Sequence, residues 1–381
     1  MSEPLFFHNG SPIKPFGFGC MRLPVAAEGE IDLPQMEKMV SCFLERGFCY
    51  FDTAYGYHKQ RSEPALREAL TSVYQRSRYV LATKLPAWKH FVHEADDAKR
   101  MFYTQIERLG VDSFDYYLFQ NMGEKRTEAF DRFHLWDFIA DQKRQGTIMH
   151  FGVSFHDKAD KLDSLLLAHP EIEYVQLQLN YADWESPIIE ARKCWETALR
   201  HQKPIIVMEP IKGGNLITPP QKVKDVLERS SVKQCYADWA LRFAANLPGV
   251  KMVLSGVSNE TQMQENTSLF DRMSPLTSEE RDTITRAIRA FSEVDGQLLC
   301  TGCRYCTEEC PGGVEIPKIM TALNFVRIYG NQHAAEHYYF SNLFLSGKAS
   351  GCLECGSCEK ACPQHLPIIS LLKEAKNLFG E

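Results

Sequence analysis

Eight of the thirteen cysteines lie within residues 300–362, whereas the other five are scattered over the first 235 residues. The eight form two copies of one pattern, in which three cysteines are separated by two residues each and a fourth follows after three residues and precedes proline. The two copies are Cys300, Cys303, Cys306 and Cys310-Pro311, and Cys352, Cys355, Cys358 and Cys362-Pro363. This spacing lets three thiolates of one loop bind three corners of a cubane, so the two copies predict two [4Fe–4S] clusters.

The proline-linked cysteine of each copy decides how the ligands are shared, because in such pairs it usually binds the other cluster. One cluster is therefore predicted on Cys300, Cys303, Cys306 and Cys362. The second cluster is predicted on Cys352, Cys355, Cys358 and Cys310. Zinc is the alternative, since CxxC pairs also form zinc ribbons, but zinc does not need the third and fourth cysteines at fixed spacing. Two complete copies favour iron–sulfur clusters.

The overall composition is that of an ordinary globular protein. Of the 381 residues, 44% are hydrophobic and 24% are charged. No run approaches the ~18 apolar residues that a membrane helix needs, and the N-terminus lacks the pattern of a secretory signal. We therefore expect a cytoplasmic protein without a membrane partner, whose clustered cysteines bind metal rather than form disulfides. The net charge of −6 and the lack of a basic tract predict no nucleic-acid partner.

Short apolar runs alternate with amphipathic stretches over most of the chain. Strands are predicted at residues 15–20, 49–53, 79–85, 114–120, 148–154, 174–180, 204–210 and 250–257. Helices are predicted between them at residues 34–46, 62–75, 97–109, 127–145, 158–168, 186–201, 233–245 and 260–269. Eight strands alternating with eight helices predict an α/β fold, a (β/α)8 TIM barrel, with an open doubly wound sheet as the alternative.

The pattern changes after Pro275. A capping box is predicted at residues 277–280, and apolar residues then recur at helical spacing. We predict a barrel domain over residues 1–275, a connecting helix over 276–296 and a small, mainly α-helical ferredoxin-like domain over 297–381. Residues 316–345, between the two cysteine groups, are predicted to be helical, and this long insert resembles the helical dicluster ferredoxin type.

Polar side chains at the C-terminal ends of the predicted strands are the candidates for catalysis, because the active sites of such barrels lie there. Asp52 ends the second strand, Tyr57 follows on its loop, and Lys84 ends the third strand. A buried lysine is costly unless it is paired, and Asp52 is the expected partner. We expect the Lys84 ammonium to lower the pKa of the Tyr57 phenol and prepare it as a proton donor. A structural ion pair beside an ordinary loop tyrosine is the alternative.

Amide side chains alternate with apolar residues along the sixth predicted strand. Gln176, Gln178 and Asn180 share one face of it, and the apolar residues between them share the other. The amides are expected to face the barrel mouth, where they could bind a ligand that carries an amide. Filling of the barrel interior is the alternative.

The sequence resembles the aldo-keto reductase superfamily over about residues 10–270. The resemblance rests on GFGCMRLP, FDTAYGYHKQRSE, LATKL, GVSFHD, VQLQLNY, MEPIKGG and SGVSNETQMQEN. Over the whole chain it resembles the bacterial branch that carries a C-terminal ferredoxin domain. The resemblance implies a barrel that uses NADPH or NADH without a Rossmann fold and transfers hydride to a carbonyl group.

The resemblance also implies roles for single residues. Tyr57 would be the general acid, with Asp52 and Lys84 tuning it. Ser154 and Gln176 would hold the nicotinamide carboxamide. Gly19, Cys20 and Met21 would lie on the cofactor loop after the first strand, and Met208 lies where many members stack an aromatic ring on the nicotinamide. Pro210, Lys212, Gly213 and Gly214 would approach the pyrophosphate. The adenosine end would be met by Gly256, Ser258, Gln262, Glu265 and Asn266.

Two positions depart from the family pattern. Gln120 lies at the end of the fourth strand, where the family has a histidine; glutamine can donate an N–H to a carbonyl oxygen but cannot relay a proton. Gln262 lies where members specific for NADPH often have arginine, and SGVSNETQ contains no basic residue for a 2′-phosphate. The cofactor is therefore expected to be NADPH or NADH.

Two classes of function fit these features. The first is an NAD(P)H-linked oxidoreductase that acts on a small carbonyl or alcohol substrate, with clusters that transfer electrons, for example to a ferredoxin or flavodoxin, or stabilise the fold. The second is a nicotinamide-binding redox sensor or regulatory protein with little turnover, to which Gln120 gives weight. Cofactor binding without carbonyl turnover would favour the second.

Overall fold

The computed structural model describes residues 12–27, 29–87, 91–123, 127–300, 302–308, 310–343, 347–362 and 364–381. Eight parallel strands form a closed barrel in chain order. They are β1 (Phe16–Gly19), β2 (Tyr50–Asp52), β3 (Val80–Leu85), β4 (Phe114–Met122), β5 (Ile148–Phe155), β6 (Tyr174–Gln178), β7 (Ile205–Met208) and β8 (Val250–Ser255). Each strand overlaps its predicted run, so the predicted (β/α)8 barrel is confirmed and the open sheet is excluded.

Apolar side chains fill the barrel interior. One buried cluster contains Tyr50 of β2, Ala82 of β3, Leu118 of β4 and Tyr174 of β6. Successive strand side chains point to opposite faces, so the residue two positions later lies on the same inner face, nearer the C-terminal end. The sequence therefore directs four polar side chains to the inner face of the barrel at that end: Asp52, Lys84, Gln120 and Gln176.

A glycine on β5 makes room for one of these interior rings. A Cβ atom on Gly152 would lie 2.6 Å from ring atoms of Tyr174, which leaves no space for a side chain. Tyr174 is buried, and its hydroxyl donates a hydrogen bond to the Tyr117 carbonyl oxygen at 3.3 Å. Gly152 therefore allows the Tyr174 ring to pack inside the barrel.

Helices follow the strands, with bounds close to those predicted. The helices up to the end of the barrel repeat are α1 (Leu33–Glu45), α2 (Ser62–Leu66), α3 (Ala95–Leu109), α4 (Thr127–Arg132), α5 (Leu135–Gln145), α6 (Ala159–Ala168), α7 (Ala191–Arg200), α8 (Gln221–Glu228), α9 (Tyr236–Ala245) and α10 (Glu260–Asp271). A π-helical turn, Arg67–Thr71, extends α2.

The structure differs from the prediction in three helices. The helix predicted at 127–145 is divided into α4 and α5 because His134 between them adopts a left-handed conformation with φ 53°. Residues 186–190 are not helical, since Glu190 also has a positive φ of 52° and α7 begins only after it. Helix α8 was not predicted; Pro220 precedes it and ends the non-helical segment after β7.

The chain divides into two compact units. Unit 1 contains Met1–Asn180, Glu190–Pro210 and Asp238–Leu276, and thus all eight strands. Unit 2 contains Thr277–Glu381 together with two segments that follow β6 and β7, Tyr181–Ile189 and Ile211–Ala237.

Unit 2 is helical. Its helices after the barrel repeat are α11 (Ser278–Ser292), α12 (Tyr305–Glu308), α13 (Ile316–Tyr329), α14 (Gln332–Leu343), α15 (Ser357–Ala361) and α16 (Ile368–Leu378). The predicted capping box begins α11, where the Thr277 hydroxyl accepts from Glu280 N at 3.2 Å. The predicted helical stretch 316–345, of which residues 344 and 345 lie outside the described ranges, is divided at Gly330, whose positive φ of 62° ends α13. Apolar residues of α13, α14 and α16 form one buried core. Six of the cysteines lie within it or against it: Cys300, Cys306, Cys310, Cys352, Cys358 and Cys362.

Candidate active site and cysteine clusters

A buried ion pair joins the C-terminal ends of β2 and β3. The Lys84 ammonium donates to the Asp52 carboxylate and, at 2.7 Å, to the Thr53 carbonyl oxygen. Lys84 is 2% and Asp52 4% exposed. Burial opposes the charge of Lys84, but the Asp52 carboxylate and Tyr57 together raise its pKa. The predicted partnership of these residues is thus present in the structure.

Tyr57 lies on the loop after β2, beside this ion pair. The Lys84 nitrogen is 5.0 Å from the centroid of the Tyr57 ring. Burial raises the pKa of Tyr57, and Lys84 opposes that rise without reversing it. The expected lowering of the phenol pKa is therefore wrong in sign: Lys84 acts in the expected direction, but the loss of solvent around the phenol is the larger effect. Tyr57 consequently keeps its proton at neutral pH.

Amide and hydroxyl groups of β4, β5 and β6 lie at the same end of the barrel. Gln176 hydrogen-bonds Asp52, which opposes the rise that burial causes in the pKa of that carboxyl. Ser154 is the register neighbour of Gln176, and its hydroxyl accepts from Asn121 N at 2.8 Å. Gln120 is buried near the end of β4. The side-chain oxygens of Gln120 and Gln176 are buried and accept no hydrogen bond.

These unpaired oxygens provide a test of whether the implied cofactor fits. Buried polar groups are nearly always hydrogen-bonded, so a buried amide oxygen without a partner indicates a ligand or water that donates to it. A nicotinamide carboxamide carries an NH₂ donor, and Gln176 offers the acceptor next to Ser154. The residues present therefore fit the nicotinamide end of the cofactor.

The end of β7 has an unusual backbone conformation. Met208 pairs with Gln178 in the sheet, and Glu209 after it has a positive φ of 55°. The Glu209 carbonyl oxygen accepts from the Asn180 side-chain nitrogen at 3.1 Å. This contact fixes the turn that separates Met208 from Pro210, the two implied cofactor residues of unit 1 on this loop.

The loop after β8 is ordered by its own side chains. Asn259 caps α10 by accepting from Gln262 N at 2.9 Å, and the Gln262 side chain accepts from Ser258 N at 2.8 Å. Asn266 donates to the Ser255 hydroxyl at 3.2 Å. Gln262 thus stabilises the loop that includes Gly256 and Ser258, while Glu265 lies exposed on α10.

Arg22 is a neighbour of this loop that the sequence analysis missed. The Ser258 hydroxyl donates to the Arg22 carbonyl oxygen at 2.9 Å, and a Cβ on Gly256 would lie 3.3 Å from the Arg22 Cβ. The Arg22 guanidinium is 3.4 Å from the Glu209 carboxylate. Its only signal in the sequence was its place directly after Met21, because the contact with Gly256 joins residues that are far apart in the chain. Arg22 is thus a basic residue beside the loop where the resemblance implies the adenosine end, and its guanidinium faces the Glu209 carboxylate.

Cys20, in the loop after β1, is a buried thiol. It is fully buried, its thiol donates to the Phe18 carbonyl oxygen at 3.5 Å, and burial raises its pKa. Gly19 ends β1, Cys20 begins the loop that follows it, and Met21 in that loop is exposed. Cys20 is thus held neutral beside Asp52 and Lys84.

The implied pyrophosphate loop lies in unit 2. Lys212, Gly213 and Gly214 all have positive φ, of 49°, 63° and 94°. The Lys212 ammonium pairs with the Asp183 carboxylate and lies 5.3 Å from the Phe325 ring centroid on α13. Lys212 therefore already has an anionic partner, and a phosphate would have to compete with Asp183 for the ammonium group.

The cysteines of unit 2 are grouped as their spacing predicts. Cys300, Cys303, Cys306 and Cys362 line one pocket, together with residues at the start of α13. Burial raises the pKa of Cys306 to about 11, and the three other thiols of this pocket add to the rise. Burial likewise raises the pKa of Cys358 to about 11, with Cys352 and Cys310 among its neighbours. Backbone N–H groups approach two of the sulfurs, from Val314 to Cys310 and from Glu354 to Cys352, each at 3.4 Å.

The arrangement of these thiols bears on the zinc alternative. In the described ranges, no three His, Cys, Asp or Glu side chains converge as they would around a single metal ion. The thiols of the first group instead surround a pocket. Cys362 of the second motif joins the first three cysteines of the first motif around this pocket, which is the sharing of ligands that the ferredoxin-type pattern predicts.

The sequence predicts no membrane-spanning helix. Across the part of the chain that the structure covers, no helix is both long and apolar enough to cross a membrane.

Two family models match consecutive parts of the chain. Residues 15–289 match the model of the aldo/keto reductase family, and residues 299–366 match that of a 4Fe-4S dicluster domain. The search of curated proteins finds no match.

Solved structures resemble the barrel. An aldo-keto reductase from Klebsiella pneumoniae in complex with NADPH has 19% sequence identity and a TM-score of 0.56, over 75% of this chain and 95% of that chain. The holo form of an aldo-keto reductase from Bacillus halodurans has 21% identity and a TM-score of 0.60, over 75% of this chain and 96% of that chain. At such identities these similarities show the fold.

Proposed function

Because the chain belongs to the aldo/keto reductase family, we propose that its barrel is an NADPH- or NADH-linked oxidoreductase that interconverts a small carbonyl compound and its alcohol. The observation that carries the proposal is the position of Tyr57 beside the buried Asp52–Lys84 ion pair. A proton donor, a cation and an anion meet there at the end of the barrel where such folds hold their active sites.

The side chains at this end divide the work of carbonyl reduction. A bound nicotinamide nucleotide would supply the hydride. Tyr57 donates its phenolic proton to the carbonyl oxygen, and the Lys84 ammonium stabilises the phenolate that this leaves. Asp52 keeps Lys84 charged and in place. The raised pKa of Tyr57 keeps the proton on the phenol until the substrate oxygen accepts it.

Residues on and after the neighbouring strands would bind and orient the nucleotide and the substrate. Gln176 and Ser154 would hold the nicotinamide carboxamide, for which Gln176 offers an unpaired buried oxygen. Gln120 would donate an N–H to the substrate oxygen. Because a glutamine cannot relay a proton, Tyr57 is the proton source among these groups. The Arg22 guanidinium would contact a nucleotide phosphate beside Ser258, in competition with the Glu209 carboxylate that it faces.

For unit 2 we propose two [4Fe–4S] clusters. The first would be bound by Cys300, Cys303, Cys306 and Cys362 and the second by Cys352, Cys355, Cys358 and Cys310, which the grouping of the thiols supports. Each cluster carries one electron at a time, so a one-electron carrier such as a ferredoxin or flavodoxin is the expected partner if they transfer electrons.

A second candidate is a redox sensor that binds the nucleotide. This candidate is favoured because α13 contacts both the cysteines and the implied pyrophosphate loop. Ile316 and Met320 in its first turns line the first cysteine pocket. Phe325, further along the helix, contacts Lys212. A change at the first cluster could reach the Lys212–Asp183 pair through this single rigid element. In that case the nucleotide affinity would depend on the cluster.

The experiment that separates the candidates starts from protein purified without oxygen and carrying about eight irons. NADPH or NADH is offered with a panel of aldehydes, ketones and quinones, and nucleotide oxidation is followed. Turnover that is lost in Tyr57→Phe supports the oxidoreductase. Tight nucleotide binding that changes with cluster oxidation, without turnover of any carbonyl, would support the sensor and overturn the first proposal.

A further inference from the structure

The loop that carries Tyr57 contains a left-handed turn. His58, Lys59 and Gln60 have φ values of 49°, 55° and 69° in succession. Residues with a Cβ atom are unfavourable in this region, and a run of three persists only where surrounding contacts hold it. The turn begins directly after Tyr57, so whatever holds it also sets the position of the phenol.

One side chain from outside the loop touches it on both sides of Tyr57. Arg108, on α3, places its guanidinium 4.4 Å from the Tyr55 ring centroid. It donates to the Gln60 side-chain oxygen at 2.8 Å. Its Nη1 atom is 3.6 Å from a carboxylate oxygen of Glu63. The guanidinium thus bridges residues before, within and after the left-handed turn.

Glu63 connects this bridge to β3. Its carboxylate is buried and accepts from the Thr83 hydroxyl at 2.8 Å and from Gln105 at 2.7 Å. Gln105 also donates to the Lys84 carbonyl oxygen at 3.1 Å. The other Glu63 oxygen and Arg108 Nη1 are both buried and have no hydrogen-bond partner, so they face each other as an ion pair. The network therefore joins the Tyr57 loop to the backbone of Lys84.

We propose that Arg108 is a positioning residue, which holds the left-handed turn at residues 58–60 and thereby fixes the Tyr57 phenol beside the Lys84 ammonium. The inference rests on the proposed function, because it assigns the effect to proton donation by Tyr57. Arg108 itself touches neither substrate nor cofactor in this role. Its planar fork is suited to three simultaneous contacts, which a lysine cannot reproduce.

The first test compares Arg108→Ala and Arg108→Lys with the wild-type protein, each with its full iron content. We expect kcat/KM for carbonyl reduction to fall about tenfold to hundredfold in both variants, as for a displaced catalytic group, while the Kd for NADPH changes less than about twofold. The measured quantities are kcat, KM and nucleotide binding by fluorescence. Wild-type kcat/KM in Arg108→Ala, in a preparation where Tyr57→Phe is inactive, overturns the inference and leaves the proposed function standing.

The second test asks whether Arg108 acts by holding the turn. Lys59 is exposed, and glycine tolerates its positive φ, so Lys59→Gly relieves strain without touching the Arg108 contacts. Lys59→Gly is expected to leave wild-type kcat/KM unchanged and to recover at least about threefold of the activity lost in Arg108→Ala. A purely structural role for Arg108 would not produce this recovery, and its absence contradicts the mechanism. Full turnover by Tyr57→Phe would instead remove the proposed function itself.

A third variant covers the case in which Arg108→Ala does not fold. Gln60→Ala deletes only the partly exposed hydrogen bond to Arg108. We expect it to lower kcat/KM by about threefold, with an unchanged Kd for NADPH and an unchanged melting temperature. Wild-type kcat/KM in Gln60→Ala would count against the inference, whatever the behaviour of Arg108→Ala.

Discussion

The barrel mouth and the cysteine region differ in where their chemical groups find partners. At the barrel mouth, the charges of Asp52 and Lys84 satisfy each other. In unit 2, thiols are gathered in two groups within a small helical core, where burial raises the pKa of Cys306 and Cys358. The ion pair at the barrel mouth is complete within the protein, whereas we propose that the buried thiols of unit 2 become stable thiolates only when they bind iron.

Loss of iron is the largest change expected from this comparison. Cys306→Ser should release the first cluster. Because metal binding contributes to the folding of such domains, the backbone amides of α13 and α16 should then lose most of their protection from hydrogen exchange. The eight strands should keep their protection. Hydrogen exchange followed by mass spectrometry measures both regions at once.

The matched control is Cys235→Ser, which changes an exposed cysteine outside the two motifs. It should retain the iron and the exchange pattern of the wild-type protein. If α13 and α16 stay protected in Cys306→Ser after its iron is lost, the core of unit 2 does not depend on the cluster and the comparison fails.

Removal of the phenolic hydroxyl is the largest change expected at the barrel mouth. Tyr57→Phe should lower kcat/KM about 10²- to 10⁴-fold, since it deletes the general acid, and should leave the iron content unchanged. Tyr103→Phe is a suitable control, because Tyr103 is an exposed tyrosine on α3. Steady-state kinetics with the best carbonyl substrate decides the result. Comparable losses in both variants would contradict the assigned role.

The ion pair offers a test of stability in unit 1. Lys84→Met leaves the Asp52 carboxylate buried without its cation and should lower the free energy of unfolding by about 3–5 kcal/mol. The double variant Asp52→Asn/Lys84→Met should recover much of that loss, since no buried charge remains. Chemical denaturation of iron-loaded protein measures both. A single variant as stable as the wild-type protein would mean that the pair is not buried as described.

The smallest effect concerns pH. Burial raises the pKa of Tyr57 above its ordinary value of about 10, so the phenol stays protonated up to that pH and is lost as a donor only above it. The basic limb of kcat/KM, which reports the free enzyme, should therefore lie above about pH 10. A limb centred between pH 7 and 9 would show that Lys84 outweighs burial, as the sequence had suggested.

The sequence predicts the parts of both regions that depend on local pattern. Strand alternation directs Asp52, Lys84 and Gln176 to one end of the barrel, and the repeated spacing groups the cysteines. Features that depend on tertiary proximity were not predictable. Arg108 meets the Tyr57 loop from α3, and Arg22 after β1 meets Gly256 after the adjacent strand β8. The sign of the Tyr57 pKa shift was missed because it depends on how deeply the phenol is buried.

Conformational breaks form a second group of features that the pattern does not reveal. His134 divides a predicted helix although neither glycine nor proline marks the break. The left-handed turn after Tyr57 likewise contains no glycine. Such conformations are imposed by contacts elsewhere in the fold, and these contacts are known only once the chain is folded.

The central proposal, that the barrel mouth reduces a carbonyl group with hydride from a nicotinamide nucleotide, can be tested with deuterium. Anaerobic, iron-loaded protein is given a carbonyl substrate and NADPH labelled at C4 with deuterium on the transferred side, and the alcohol is analysed by mass spectrometry. We predict that the label appears on the alcohol carbon in full while the cluster absorbance near 400 nm stays constant. Alcohol that forms without the label, accompanied by a change in cluster absorbance, would contradict the claim, because the electrons would then have passed through the clusters.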